Sequence, residues 1–398
     1  MAGVNYRSID IKTLIRKQEL ADFFTISKYG FSPYRACEHG CSYCDGRAEK
    51  YYVEGEFDKD IVIRKNVPEL LEREITRIRE RGFLCIGSGV SDVYQPVEQR
   101  EMIMRRCAEI LAQFEIPVVI LTKSSLIMRD LDLWAQINNK SRFLLMMSLT
   151  TTDESVRRQF EPNASPVEER LETLRRFKDA GCSTGVLAMP LLPYITETEK
   201  NIDALTDAVI QAGVDFFMPG GLTLRPGIQK DTFMKTVQRC YPGFTAEYER
   251  IYANSLSSGA PDRQWMKRNQ PLYQRAIMRS GVSPVVPHTV FRGLVQIYEE
   301  VFLVLSLMKT AYEYRGVDTR RLSRAIGLYR NRVSEVRKPI PRSRSLSFDT
   351  VDRELAAICK SGEIRGVVQN EKTAAFITSI VLDRKIFDFR DMKFIGGS

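Results

Sequence analysis

Residues 83–148 read FLCIGSGVSDVYQPVEQREMIMRRCAEILAQFEIPVVILTKSSLIMRDLDLWAQINNKSRFLLMMS. Three near-continuous apolar runs stand out: Phe83-Leu-Cys-Ile-Gly87, Pro117-Val-Val-Ile-Leu-Thr122 and Arg142-Phe-Leu-Leu-Met-Met-Ser148. Unbroken runs of this length suit strands covered on both faces, the habit of parallel sheets. Downstream, Ser183-Thr-Gly-Val-Leu-Ala-Met189 and Val214-Asp-Phe-Phe-Met218 repeat the pattern, and the series begins just before Cys37. Helical spacing fills the gaps. Asn66 stands where it can cap a helix over 67–81, in which Leu70, Leu71, Ile75 and Ile78 recur on one face. Further helices fit 97–114, 126–137, 166–180 and 197–212, with Gly181 and Gly213 as stops. Six strands alternating with helices predict an α/β fold, a partial parallel (β/α)6 TIM-like barrel with its chemistry at the C-terminal strand ends.

The rhythm is lost after Gly243, where the chain becomes helix-rich and basic. This organisation gives an N-terminal lead-in over 1–24, a barrel over 25–240 and a helical, basic C-terminal region over 241–398. Residues 241–398 hold 26 basic and 16 acidic residues, whereas the first 240 hold 33 and 34. The excess is densest at Arg315, Arg320, Arg321, Arg324, Arg330, Arg332, Arg337, Lys338, Arg342 and Arg344, which face only Asp318 and Glu335. Such a patch attracts phosphate backbones, and it also fits a plain solvated helix face.

The 398 residues are 43% hydrophobic and 27% charged, the balance of an ordinary globular chain of two or three domains. The apolar run Val301-Phe-Leu-Val-Leu-Ser-Leu-Met308 is far short of the roughly 20 residues a membrane span needs, and it reads as a buried helix segment. No apolar signal segment opens the chain, so the expectation is a cytoplasmic protein without a membrane partner. The only histidines, His39 and His288, exclude a three-histidine zinc site and a two-histidine iron site. Eight cysteines in such a chain do not suggest a disulfide framework.

Three of them cluster. Ala36-Cys37-Glu-His-Gly-Cys41-Ser-Tyr-Cys44 has a C-x3-C-x2-C spacing on a glycine-containing loop. Three thiolates from one loop can hold three irons of a four-iron cluster and leave the fourth open. Zinc is the competing metal, but a structural zinc site wants four closed ligands, and His39 is awkwardly placed inside the first spacer.

This spacing at the first strand of a (β/α)6 barrel resembles the radical SAM superfamily. The motifs Phe31-Ser-Pro-Tyr-Arg-Ala-Cys37, Ser91-Asp-Val-Tyr-Gln-Pro-Val-Glu98, Leu121-Thr-Lys-Ser124, Arg129-Asp-Leu-Asp-Leu133, Ser148-Leu-Thr-Thr151, Phe160-Glu-Pro162 and Glu169-Arg-Leu171 resemble its spore photoproduct lyase-like branch. The resemblance implies a [4Fe-4S] cluster on Cys37, Cys41 and Cys44, S-adenosylmethionine on the open iron, and a 5′-deoxyadenosyl radical after reduction. It implies cofactor contacts from Gly87, Ser88, Gly89 and Ser91 to the methionyl group, from Lys123 to the carboxylate, and from Ser148 to ribose or carboxylate. Tyr43, Met189 and Pro190 would lie near adenine. It also implies an electron donor of flavodoxin or ferredoxin type and a lyase-like reaction on nucleic acid, as in DNA repair. One departure matters: where the lyase carries its hydrogen-donor cysteine, this chain has Gly89. Cys240, Cys182 and Tyr94 are conceivable relays that also read as packing residues. The alternatives are radical modification of a peptide or small molecule, and a non-enzymatic zinc protein that binds nucleic acid.

Overall fold

The strands expected from the apolar runs lie side by side in one sheet, in the order Phe216–Gly221, Ser183–Leu191, Phe143–Ser148, Val118–Thr122, Phe83–Ile86. A computed structural model of the chain describes residues 3–87, 89–254, 256–338 and 347–396. Ser88, Arg342 and Arg344 lie outside the described residues. The pairing of Val118–Thr122, Phe143–Ser148, Ser183–Leu191 and Phe216–Gly221 is parallel throughout. Phe143–Ser148 is buried along its whole length, as a strand covered on both faces must be. The fold is α/β, with a parallel sheet of the partial TIM-barrel kind and a helix-rich C-terminal region.

Register decides which side chains meet at the C-terminal edge. Thr122 pairs with Met147, so the next rung brings Lys123 beside Ser148, and Ser148 in turn pairs with Leu187.

The helices are shorter than their spacing suggests. Val67–Ile75 stops well before residue 81, and Asn66 does not cap it. Its amide is consumed by the backbone of Ile11, accepting from the N–H at 3.0 Å and donating to the carbonyl at 2.9 Å. The expected helix over 97–114 is two helices, Glu98–Glu101 and Ile103–Leu111, broken at Met102 in the left-handed region (φ 55°). The cause is Glu98, whose buried carboxylate accepts the amides of Ile103 (3.1 Å) and Met104 (2.9 Å) and so starts the second helix afresh. Val167–Asp179 and Glu199–Ala212 follow expectation, the latter capped by Thr198 and ended by Gly213 at φ 64°.

By their contacts the residues form two compact units. The first is Met1–Arg16, Gly30–Thr76 and Cys85–Val282; the second is Lys17–Tyr29, Arg77–Leu84 and Ser283–Ser398. Within the first, the stretch read as a lead-in contributes the strand Asn5–Ile9, parallel to Asp60–Arg64.

The second unit holds the helices Ile297–Tyr314, Arg320–Arg337, Ser347–Ser361 and Glu371–Val381. Residues 301–308 are mostly buried in the first of these, and no helix among the described residues is long and apolar enough to cross a membrane. Lys28, Glu80 and Glu299 are buried together in this unit, with Lys28 Nζ 3.4 Å from Glu80 and hydrogen-bonded to Glu299.

Candidate active site

Strand ends and one loop make a single cleft. Ala36 and Gly40 turn the loop through left-handed conformations (φ 68° and 66°). The Gly40 amide donates to the Cys37 carbonyl and the Cys44 amide to the Cys41 carbonyl, each at 3.3 Å. Cys37, Cys41 and Cys44 all line the cleft, which has about 440 Å³ of empty space including its mouth. Gly89, Ser91, Asp92, Lys123 and Ser148 line it from the strand ends, as the barrel rule requires.

The segment 91–98 braces the loop. Ser91 Oγ donates to the Ala36 carbonyl at 2.8 Å, and Gln95 donates to the same oxygen while accepting the Glu38 amide at 2.8 Å. Glu38 accepts the Val97 amide at 2.8 Å. From the other side, Asn163 Nδ2 donates to the Glu38 carbonyl at 2.7 Å. Arg47 reaches across the loop, its Nε donating to the Cys41 carbonyl (2.9 Å) and another nitrogen to the Gly40 carbonyl (3.1 Å). Its charge is balanced by Asp58 at 2.9 Å. The thiols therefore hang from a backbone that is fixed on both flanks.

Asp92 ties the loop to the third strand end. Its carboxylate accepts the Thr122 hydroxyl (2.7 Å), the Lys123 amide (2.7 Å) and the Tyr94 amide (2.9 Å), and lies 3.4 Å from His39 Nδ1. Burial opposes its charge, but His39 and these hydrogen bonds hold its pKa down at about 2. Burial pushes the three thiols up, Cys41 to about 12.

Lys123 Nζ donates to Ser148 Oγ at 2.7 Å and lies 5.6 Å above the Tyr43 ring. Ser148 Oγ donates onward to the Met189 carbonyl at 3.2 Å. Beneath them is a buried ion pair: Arg170 donates to Glu161 at 2.6 Å, and Glu161 also accepts Thr150 Oγ1 (3.1 Å) and the Tyr43 hydroxyl.

The sequence matches the Radical SAM superfamily over residues 31–206. This stretch is a radical SAM domain. An uncharacterized protein of Mycobacterium tuberculosis is 27% identical over 293 residues, 72% of this chain and 85% of its own length. One of Methanocaldococcus jannaschii is 25% identical over 174 residues, 44% of this chain and 64% of its own. Among solved structures, spore photoproduct lyase complexed with dinucleoside spore photoproduct has a TM-score of 0.50 at 14% identity, covering 69% of this chain and 79% of that one. At that identity the likeness is one of fold.

Radical SAM domains work with S-adenosylmethionine and an iron–sulfur cluster, and the cleft fits that pair. Three thiols, those of Cys37 and Cys41 buried and that of Cys44 half-buried, provide soft ligands. The Ser42 hydroxyl, within the cysteine loop, is buried without a hydrogen-bond partner. Gly89 lines the cleft, and a Cβ there would meet nothing within 4 Å.

The radical SAM domain gathers some of the expected residues and leaves others aside. Cys37, Cys41, Cys44, Gly89, Ser91, Lys123 and Ser148 share the cleft. The Ser91 hydroxyl, expected to face the cofactor, spends its proton on the loop carbonyl. Gly87 is structural: its amide donates to the Phe31 carbonyl at 2.7 Å, and φ 100° requires glycine. Tyr43, Met189 and Pro190 do not line the cleft; Tyr43 is turned to Glu161, and Met189 offers its carbonyl to Ser148. Tyr94 is corrected to packing. Fully buried, it donates to Asp130 at 3.0 Å and accepts from Trp134 at 2.8 Å, outside the cleft lining. Cys240 ends the helix Ile228–Cys240 and does not line the cleft either. Sequence reasoning gave no role to Asp92, Arg47, Glu161 or Arg170. The available signal was charge inside apolar surroundings, as in Phe160-Glu161-Pro162.

Proposed function

We propose that this chain reductively cleaves S-adenosylmethionine at a [4Fe-4S] cluster held by Cys37, Cys41 and Cys44, and acts through the resulting radical on a nucleic acid. The observation that carries the reading is three thiols, two buried and one half-buried, lining one cleft at the C-terminal strand ends. When bound, the cluster and S-adenosylmethionine supply a 5′-deoxyadenosyl radical; the protein's part is to position and exclude.

Lys123 is the residue to take the cofactor carboxylate. Ser148 fixes its ammonium at the cleft wall, and a charge-assisted bond is the strong kind. Gly89 leaves bare backbone where the methionyl amine would approach. Because glycine stands at that point, the hydrogen returned to product comes from elsewhere, and the lyase's own route is not the one used. The chemistry requires a one-electron donor of flavodoxin or ferredoxin type.

The nucleic-acid substrate rests on exposed Arg321, Arg324, Arg330 and Lys338 in the second unit, and on the dinucleoside held by the lyase of like fold. Against it, Arg332 pairs with Glu354 at 2.6 Å and Arg337 lies 3.6 Å from Glu80, so part of the basic surplus is internal balance. A peptide or small-molecule substrate is the second reading that those pairs favour.

Anaerobic reconstitution with reductant and S-adenosylmethionine tests the chemistry, with about four irons per chain and 5′-deoxyadenosine as the expected result. Full iron and product in Cys41→Ala would sink it. Stimulation of cofactor cleavage by oligonucleotides, set against peptides and small molecules, separates the substrates.

A further inference from the structure

The strand Tyr34–Arg35 leads straight into the cysteine loop and pairs antiparallel with Asp60–Arg64, Tyr34 opposite Ile63 and Arg35 opposite Val62. Residues two apart on a strand share a face. Arg35 and Arg64 are therefore diagonal neighbours on one face, with backbones about 7–8 Å apart. Arg35 is exposed, and Arg64 is half-buried with one nitrogen donating to the Ser32 carbonyl at 2.7 Å. Arg16, also exposed, opens the strand Arg16–Asp22 of the larger sheet, and its charge acts on Arg64. Burial, and after it the charges of Arg35 and Arg16, push the Arg64 guanidinium down from its ordinary value.

Neighbouring arginines are neutralised. Arg7 pairs with Glu54 at 2.6 Å and Arg47 with Asp58 at 2.9 Å. Among the described residues no carboxylate forms an ion pair with Arg16, Arg35 or Arg64, and both charges that act on Arg64 are positive. Like charges that act on one another without a counter-charge oppose folding, and an anionic surface arriving from outside relieves them. The location narrows what arrives. Arg35 is two residues before Cys37, and two residues span at most about 7 Å, so whatever docks on Arg35 lies against the cysteine loop. Electron-transfer complexes are small, short-lived and steered by charge, which matches a compact group of guanidinium charges better than a broad interface would.

We propose that Arg16, Arg35 and Arg64 form the docking surface for an acidic one-electron donor protein. The inference rests on the reading of the cysteine loop as a redox cluster site, and it adds the place and charge of the partner.

A carboxylate-rich flavodoxin is the probe, its binding to the full chain measured over a range of salt, with and without cluster loading. The parent protein should bind it with an affinity that falls steeply as salt rises. The Arg16→Glu/Arg35→Glu double variant, which changes two exposed side chains, should bind at least about tenfold more weakly and lose most of the salt dependence. Arg35→Lys should stay close to the parent, and Lys372→Glu, at an exposed position of the second unit, should leave flavodoxin binding unchanged. In loaded protein, reduction by flavodoxin should slow in the double variant while reduction by dithionite does not. Parent-like affinity in the double variant overturns the proposal, as does a parent that does not bind flavodoxin. An oligonucleotide that loses affinity in the double variant while flavodoxin keeps its own also overturns it, and assigns the surface to phosphate. Binding is read without the cluster, so a chain that binds flavodoxin but assembles no iron fails the functional reading alone.

Discussion

Arg170 is shared between Glu161 and Ser148: one nitrogen pairs with the Glu161 carboxylate at 2.6 Å and another donates to the Ser148 carbonyl at 3.1 Å. The same strand end that carries the Lys123 partner is thus anchored to a buried ion pair. Burial opposes the Glu161 charge, but Arg170 and then Lys123 hold its pKa at about 2.

Glu161→Gln should destabilise the protein by about 3–5 kcal/mol at neutral pH, because it leaves the Arg170 charge buried and unpaired. The pH dependence has a definite sign. In the unfolded chain Glu161 takes up its proton near 4.5, and in the folded protein only near 2. The stabilisation is therefore complete above about 4.5 and lost as pH falls through about 2. Urea unfolding of parent and variant across that window should show a steeper acid limb in the parent. Parallel limbs would mean the pair contributes no linkage.

Alanine at Cys37, Cys41 or Cys44 should abolish iron retention and 5′-deoxyadenosine formation. Cys107→Ala and Cys359→Ala should leave both intact, since neither residue lines the cleft. Iron analysis of the five variants, purified anaerobically, decides the assignment.

Lys123→Met should keep the brown colour and weaken S-adenosylmethionine binding. Loss of a charge-assisted bond worth roughly 1.5–3 kcal/mol corresponds to about ten- to hundred-fold in affinity. Calorimetric titration of the reconstituted variant is the measurement, and an unchanged constant removes Lys123 from the site.

Neutralising Arg321, Arg324 and Arg330 together should lower the slope of log affinity against log salt for duplex DNA by roughly 2–3, at about 0.9 for each phosphate left without its arginine. Folding stability should hardly move. Arg332→Gln should do the reverse, costing stability through Glu354 more than it changes binding. A parent with flat salt dependence ends the nucleic-acid reading.

The sequence displayed the parallel strands because burial on both faces writes itself as unbroken apolar runs, as in Phe143–Ser148. The thiols were visible because a loop keeps its ligands close in sequence, and Lys123 because a polar residue directly follows an apolar run. What stayed hidden depends on distant partners. The break at Met102 carries no glycine or proline; it follows from the Glu98 carboxylate taking the amides of Ile103 and Met104, a side-chain choice that periodicity does not record. Asn66 looks like a cap until Ile11 claims its amide across 55 residues. Tyr94 shares its motif with Ser91 and Asp92, yet the turn aims it at Asp130 and Trp134. Arg332 and Arg337 read as surface charge because their carboxylate partners lie far along the chain.

The burial of Lys28 against Glu299 sets a timetable for synthesis. The two residues are 271 positions apart, so at 5–20 residues per second roughly 15–50 s separate their emergence from the ribosome. Until Glu299 emerges Lys28 lacks one of its two carboxylate partners, while the residues of the cysteine cleft, all before position 149, become available to fold well before that point. The N-terminal segments of the second unit are early products waiting for a late one, and a chain stalled or cut near Val282 carries them permanently unsheltered.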